Sequence, residues 1–125
     1  MGYRVKRVYE PPADDDGYRV LVDRLWPRGV SKADAHLDEW DKDVAPSDEL
    51  RRWYGHEPSR FDEFAARFRA ELDDRPDAVE HALAWAADHP TVTLVFGAHD
   101  PATANATVLR DYLEEKGVRS GQPSP

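Results

Sequence analysis

Residues Tyr18–Gly29 read YRVLVDRLWPRG: an apolar run, Val20-Leu21-Val22, that breaks at once into Asp23 and Arg24 and turns through Trp26-Pro27-Arg28-Gly29. Three consecutive apolar residues without alternation mark a strand buried on both faces. Pro27 restrains Trp26 to extended geometry, and Gly29 permits a positive φ at the turn. Thr91–Ala98 (TVTLVFGA) is the second stretch of this kind, and it too ends in polar residues, His99 and Asp100. An apolar strand has no structural need to finish in charge, so the two strand ends are the places to look for a ligand.

The remaining segments supply what such strands pack against. Residues 3–9 alternate as a strand of mixed facing. Glu10–Gly17 (EPPADDDG) is loop chemistry, read as a solvated loop rather than a calcium site, because no ligand spacing with a closing Glu follows. Its eight residues are too few for a helical crossover, so the first two strands are either antiparallel partners or not neighbours. Ser31 caps a short turn over Lys32–Ala35. Leu37–Val44 fits either a helix or a strand, and the reading favours a short strand.

Three helices follow: one capped by Ser47 and ended by Gly55, one capped by Ser59 with the stripe Phe61, Phe64, Ala65, Phe68 and Leu72, and one opened by Pro76 and closed at His89-Pro90. Asp100 and Pro101 then predict a last helix running to about Lys116. The expected architecture is a single α/β domain over residues 1–117, with a small mixed sheet of about three to four strands flanked by about four helices. The polar tail 118–125 is expected to be disordered.

At 125 residues, with 40% hydrophobic and 34% charged residues, the chain is long enough to bury a core unaided. It has no cysteine, which excludes disulfides, thiolate catalysis and cysteine metal sites. The N-terminus lacks a signal-peptide core and no apolar run could span a bilayer, so a cytoplasmic protein is the simple reading. The net charge of −8 is uneven. Residues 1–32 hold seven cations against five acids, and residues 33–125 hold ten against twenty. An acidic body disfavours nucleic acid and anionic membrane, while a small basic locus on it can still hold a small anion.

In open α/β sheets ligands bind beyond the carboxyl ends of strands, beside helix N-termini. That rule brings Asp23, Arg24, Arg28 and Lys32 to face His99, Asp100 and Thr103 across one cleft. Arg24 and Arg28 would clamp the anion bidentately, Asn105 and His99 would recognise its polar edges, and Trp26 or Trp53 could form one wall. Asp23 and His99 are the candidates for acid–base work, Asp23 alternatively orienting Arg24. One objection stands: Asp100, capping the helix, occupies the place an anion would take. The bland readings are a structural Asp23–Arg24 ion pair and an Arg28 paired with the acidic run 38–43. His36, His56, His81 and His89 show no i, i+4 pairing and no HExxH, so no metal site is expected, and no cofactor motif occurs.

YEPPADDDGYRVLVDRLWPRGVSK, LDEWDKDVAPSDELRRWYGH and TLVFGAHDPATANATVLRDYL together resemble the YeaO-like family of small bacterial proteins, a domain of unknown function. The likeness covers about residues 4–114, and its motif positions fall on Asp23, Arg24, Trp26–Gly29, Trp40, Pro46, Ser47 and Asn105. It implies a cytoplasmic α/β protein and no particular reaction. Similar proteins carry a lysine at the position of His99 and a histidine at that of Ala106, which leaves Asp23–Arg28 as the stronger candidate segment. The expected ligand is a small anionic metabolite, phosphorylated or a nucleotide, bound by an enzyme or a sensor. The alternative is a non-enzymatic module that presents the Trp26-Pro27-Arg28 loop to a protein partner.

Overall fold

A computed structural model describes residues 2–121, with side chains described up to Gly117. Four strands, β1 (Gly2–Arg7), β2 (Tyr18–Leu21), β3 (Glu39–Trp40) and β4 (Thr91–Phe96), form one sheet in the order β1-β4-β2-β3. The α/β class and the strand at 39–40 agree with the sequence reading. The sheet, however, is parallel throughout rather than mixed. β1 and β2 are not neighbours because β4 lies between them, paired from Gly2↔Thr91 to Arg7↔Phe96 on one side and from Tyr18↔Val92 to Leu21↔Val95 on the other. Residues 8–17 return the chain to the start of β2 with no α-helix and only a 3-10 turn, Asp14–Asp16.

The two faces are covered unequally. Tyr3, Val20, Val22, Val92, Leu94 and Phe96 belong to the main core with buried residues of α2 (Asp48–Tyr54), α3 (Phe61–Asp73), α4 (Pro76–Asp88) and α5 (Asn105–Gly121). The opposite face has a small core of Val8, Leu21, Ala35 and Val95, covered by Trp26, Val30, Leu37 and the single turn α1 (Lys32–Ala35). Val20, Leu21 and Val22 are all fully buried, as a run covered on both faces must be. No helix among the described residues is long and apolar enough to cross a membrane.

Asp16 corrects the reading of Glu10–Gly17 as solvated loop. It is 4% exposed. Its carboxylate accepts hydrogen bonds from Arg19 (2.6 Å), Lys6 (3.1 Å) and the Ala13 N–H (3.0 Å), while its carbonyl takes the Thr93 hydroxyl at 2.6 Å. Arg19 spends its other donors on the His36 and Ala35 carbonyls. Alternation explains the gathering, since Lys6, Arg19 and Thr93 lie on adjacent strands and point to the same face. Gly17, at φ +67°, lets the loop reach them, and a Cβ there would overlap the Thr91 carbonyl.

Two helix starts also differ from expectation. Ser59 lies in a 3-10 turn, Pro58–Arg60, and α3 begins at Phe61 without a side-chain cap. Asp100 caps only the 3-10 turn Pro101–Thr103, accepting the Ala102 N–H at 3.0 Å, and α5 starts after an extended Ala104. Pro101 permits a turn as readily as a helix, so the punctuation was right and the length was not. α5 continues to Gly121, past the expected stop at Gly117, and the tail from 122 lies outside the described residues.

Candidate functional site

The chain leaves β2 through Asp23 and turns back at Gly29, which takes φ +78°. Three aromatic donors hold this loop by its carbonyls. Trp40 Nε1 donates to Asp23 O (2.8 Å), Tyr9 Oη to Arg28 O (2.9 Å) and Trp26 Nε1 to Val30 O (2.6 Å). The Trp26 and Trp40 rings meet edge to face at 5.3 Å, so the indoles serve the loop's shape as well as its surface. The end of β4 is joined to the same place, because Gly97 N–H donates to Asp23 Oδ2 at 2.8 Å. A Cβ on Gly97 would sit 3.4 Å from that oxygen.

Between these strand ends, the last turn of α2 and the first turn of α5 opens a cavity of about 250 Å³. Asp23, Gly97 and Asn105 line it, with Tyr54, Phe64 and Ala104 as an apolar wall and Arg24, Arg28, Arg51 and His56 as its cationic or titratable groups. Trp26, Thr103 and Tyr9 also line it. Of the residues expected at the site, Asp23, Arg24, Trp26, Arg28, Thr103 and Asn105 therefore share one cleft. Lys32 and His99 are exposed and do not line it.

The expected partnerships differ in detail. Asp23 does not pair with Arg24, whose Nε donates to the Pro46 carbonyl (3.1 Å) and lies 3.8 Å from Asp48 Oδ1. Among the described residues Arg28 makes no ion pair, with the run 38–43 or with any other acid. Asn105 donates to the Val22 carbonyl at 3.2 Å, binding α5 to the end of β2. Burial pushes the Asp23 carboxyl above the usual carboxylate range, against the opposing pull of the Gly97 N–H, the Asn105 amide and His56. The objection from Asp100 weakens, since that residue caps a separate turn and is not part of the lining.

Arg51, Tyr54, His56 and Tyr9 were not anticipated. Arg51 and Tyr54 are three apart on α2 and thus on one helical face, a spacing visible in the sequence. Arg51 shares Asp48 with Arg24, at 3.3 Å, and its buried Nε has no hydrogen-bond partner. One exposed carboxylate between two guanidinium groups leaves the rim positive, with Arg28 adding to it. Tyr54 Oη donates to the Thr103 carbonyl at 2.8 Å, joining α2 to the turn before α5, and burial first among the causes raises its phenol's pKa. His56 takes φ +57°, set out toward the cleft by the left-handed stop that Gly55 provides.

Over residues 3–124 the chain matches the family described as the inactive DUF488-N3 subclade. It is 49% identical over 110 residues to an uncharacterised protein of Mycobacterium tuberculosis, covering 88% of this chain and 92% of that one. The same figures hold for an uncharacterised protein of Mycobacterium bovis. To the uncharacterised protein YeaO of Escherichia coli it is 42% identical over 113 residues, 90% of this chain and 97% of that one. No solved structure matches it. With nearly the whole chain matched and each of these relatives covered almost end to end, the protein belongs to the inactive DUF488-N3 subclade of YeaO-like proteins, a domain of unknown function.

Proposed function

We propose that the cleft binds a small anionic metabolite through a phosphate or carboxylate group and holds it without chemical conversion. The observation that carries this reading is the meeting of Arg24, Arg28 and Arg51 on one cavity, with Arg28 in no ion pair among the described residues. Guanidinium groups bind phosphate and carboxylate oxygens through paired, charge-assisted hydrogen bonds. Arg28 and Arg24 open on the same space, and the first turn of α5 reaches it through Ala104 and Asn105, adding partial positive charge. A volume of about 250 Å³ suits a small phosphorylated molecule, and the wall of Tyr54, Phe64 and Trp26 suits an attached ring or carbon chain. The family's description as inactive favours binding over turnover.

Thermal denaturation with inorganic phosphate, pyrophosphate and nucleoside monophosphates tests the reading. At least one of them should raise the midpoint of the wild type and leave an Arg28→Ala, Arg51→Ala protein unmoved. Equal stabilisation of both proteins, or of neither, counts against it. Leu25 and Tyr9, 58% and 46% exposed beside the cleft, favour a second reading in which the loop docks a protein. A stoichiometric partner lost on Trp26→Ala, with no anion effect, would replace the first reading by the second.

A further inference from the structure

A second polar cluster lies at the far edge of the sheet, away from the cleft. Glu39 stands on β3, Asp41 follows it, and His81 projects from α4. The two carboxylates are held in the same manner. Glu39 Oε1 accepts the Tyr18 hydroxyl (2.7 Å) and Trp85 Nε1 (3.1 Å), and Asp41 Oδ1 accepts the Asp43 N–H (2.9 Å). Each therefore has one oxygen fixed by donors outside the trio and the other turned toward His81 Nε2, at 2.6 Å from Glu39 Oε2 and 3.9 Å from Asp41 Oδ2. The three groups each offer one atom, all within 4.8 Å of one another.

Asp41 makes this more than an ion pair with a neighbour. Its side chain is only 7% exposed, and its Oδ2, aimed into the cluster, accepts no hydrogen bond among the described residues. No lysine or arginine there pairs with it or with Glu39, and Lys42 lies over the Trp40 ring at 4.3 Å instead. A buried carboxylate facing a second carboxylate across one imidazole is short of positive charge.

We propose that Glu39 Oε2, Asp41 Oδ2 and His81 Nε2 bind one divalent transition-metal ion of the zinc or manganese class, with water completing its coordination. One imidazole and two carboxylates suit ions of intermediate hardness, and three protein ligands leave an open position. Ligand atoms about 2.0–2.1 Å from a tetrahedral ion stand about 3.3 Å apart, between the two separations seen here. His81, with its side chain 57% exposed, can make the adjustment of about 0.7 Å that its distances to the two carboxylates call for. Tyr18, Trp85 and the Asp43 N–H are then the outer shell that orients the ligands. The groove is open to solvent and lined also by Trp40 and Lys42. The proposal is independent of the cleft, with which these ligands share no lining residue.

Calorimetric titration of the chelator-treated full chain with zinc and with manganese chloride provides the test. Saturable one-to-one binding of at least one ion is expected, weakened tenfold or more by Asp41→Asn and by His81→Ala. Tyr18→Phe, which removes an outer-shell donor, should weaken it by about tenfold. Asp41→Asn keeps all five histidines, so adventitious attachment to surface imidazoles would survive it unchanged. Circular dichroism establishes whether each variant is folded, and His81→Ala, altering an exposed side chain, decides the matter if Asp41→Asn does not fold. Absence of saturable binding by either ion, or equal affinity in wild type and folded variants, overturns the proposal.

Discussion

Asp23 Oδ2 accepts the Gly97 N–H at 2.8 Å across a separation of 74 residues, fastening the end of β2 to the end of β4. That one bond turns two strand ends into a single cleft floor. It also uses a carboxylate whose burial raises its pKa, so the fold tolerates the charge rather than profiting from it.

Replacing Asp23 separates the two effects. Asp23→Ala leaves the Gly97 N–H without its acceptor and should cost roughly 1–3 kcal/mol. Asp23→Asn retains an oxygen for that N–H and removes the buried charge, so at pH 7 it should be at least as stable as the wild type. A carboxyl whose folded pKa is raised favours the folded state below its unfolded pKa and loses that advantage as pH rises through the folded value. The margin of Asp23→Asn over the wild type should therefore shrink as pH falls through the raised folded value and be gone below about pH 4, near the unfolded carboxylate pKa. Urea unfolding of the three proteins across pH reads both outcomes.

Asp16 has the opposite sign. Burial raises its pKa, but the Ala13 N–H, Lys6 and Arg19 outweigh that, and the net shift is downward. A depressed carboxyl contributes its full stability above the unfolded pKa of about 3.9, and the contribution is lost as pH falls through the folded value. Asp16→Asn strips Lys6 and Arg19 of their counter-charge and should cost about 3–5 kcal/mol near neutrality, the usual result of breaking a buried pair. Below pH 4 the gap to wild type should narrow. A gap constant between pH 7 and pH 3 in urea midpoints would exclude the assigned role.

Gly17 tests the backbone of the same loop. An alanine would hold φ +67° at a cost and overlap the Thr91 carbonyl, which the β4 backbone cannot move aside. Gly17→Ala should lose at least about 2 kcal/mol. Gly29→Ala is the control, since a Cβ there meets nothing within 4 Å and only the φ penalty applies, about 1 kcal/mol. Similar losses in the two variants by denaturant unfolding would show that the overlap is relieved.

What the sequence disclosed depended on whether its signal was local. Val20–Val22 and Thr91–Phe96 were legible as buried strands because burial on both faces leaves an unbroken apolar run, and the α3 stripe was legible from its spacing. Asp16 was not, because its burial depends on Lys6 and Arg19 arriving from two separate strands. The cleft was half legible. The rule about strand ends pointed to Asp23, Arg24, Arg28 and Thr103, which do line the cleft, but it also brought in Lys32 and His99, and the chain turns both out to solvent. Arg51 and Tyr54 were not legible because nothing between Ser47 and Gly55 marks which face of that helix meets the strand ends. Glu39, Asp41 and His81 show no motif, since the pairing of β3 with β2 and the packing of α4 bring them together.

Tyr9 offers a test of whether the loop's rigidity matters to the cleft. Its hydroxyl holds the Arg28 carbonyl at 2.9 Å, and its ring is 46% exposed, so little apolar burial is at stake. Tyr9→Phe keeps the ring and should change stability by no more than about 0.5 kcal/mol, as surface substitutions do. It frees the backbone that aims the Arg28 guanidinium, however, and a guanidinium that must first be ordered pays that entropy on binding. On the anion-binding reading, the thermal stabilisation by whichever phosphate compound acts on the wild type should fall in Tyr9→Phe and fall further in Arg28→Ala. Unchanged stabilisation in Tyr9→Phe alongside its loss in Arg28→Ala would mean that Arg28 acts by its charge alone and that the Tyr9 contact serves only the fold.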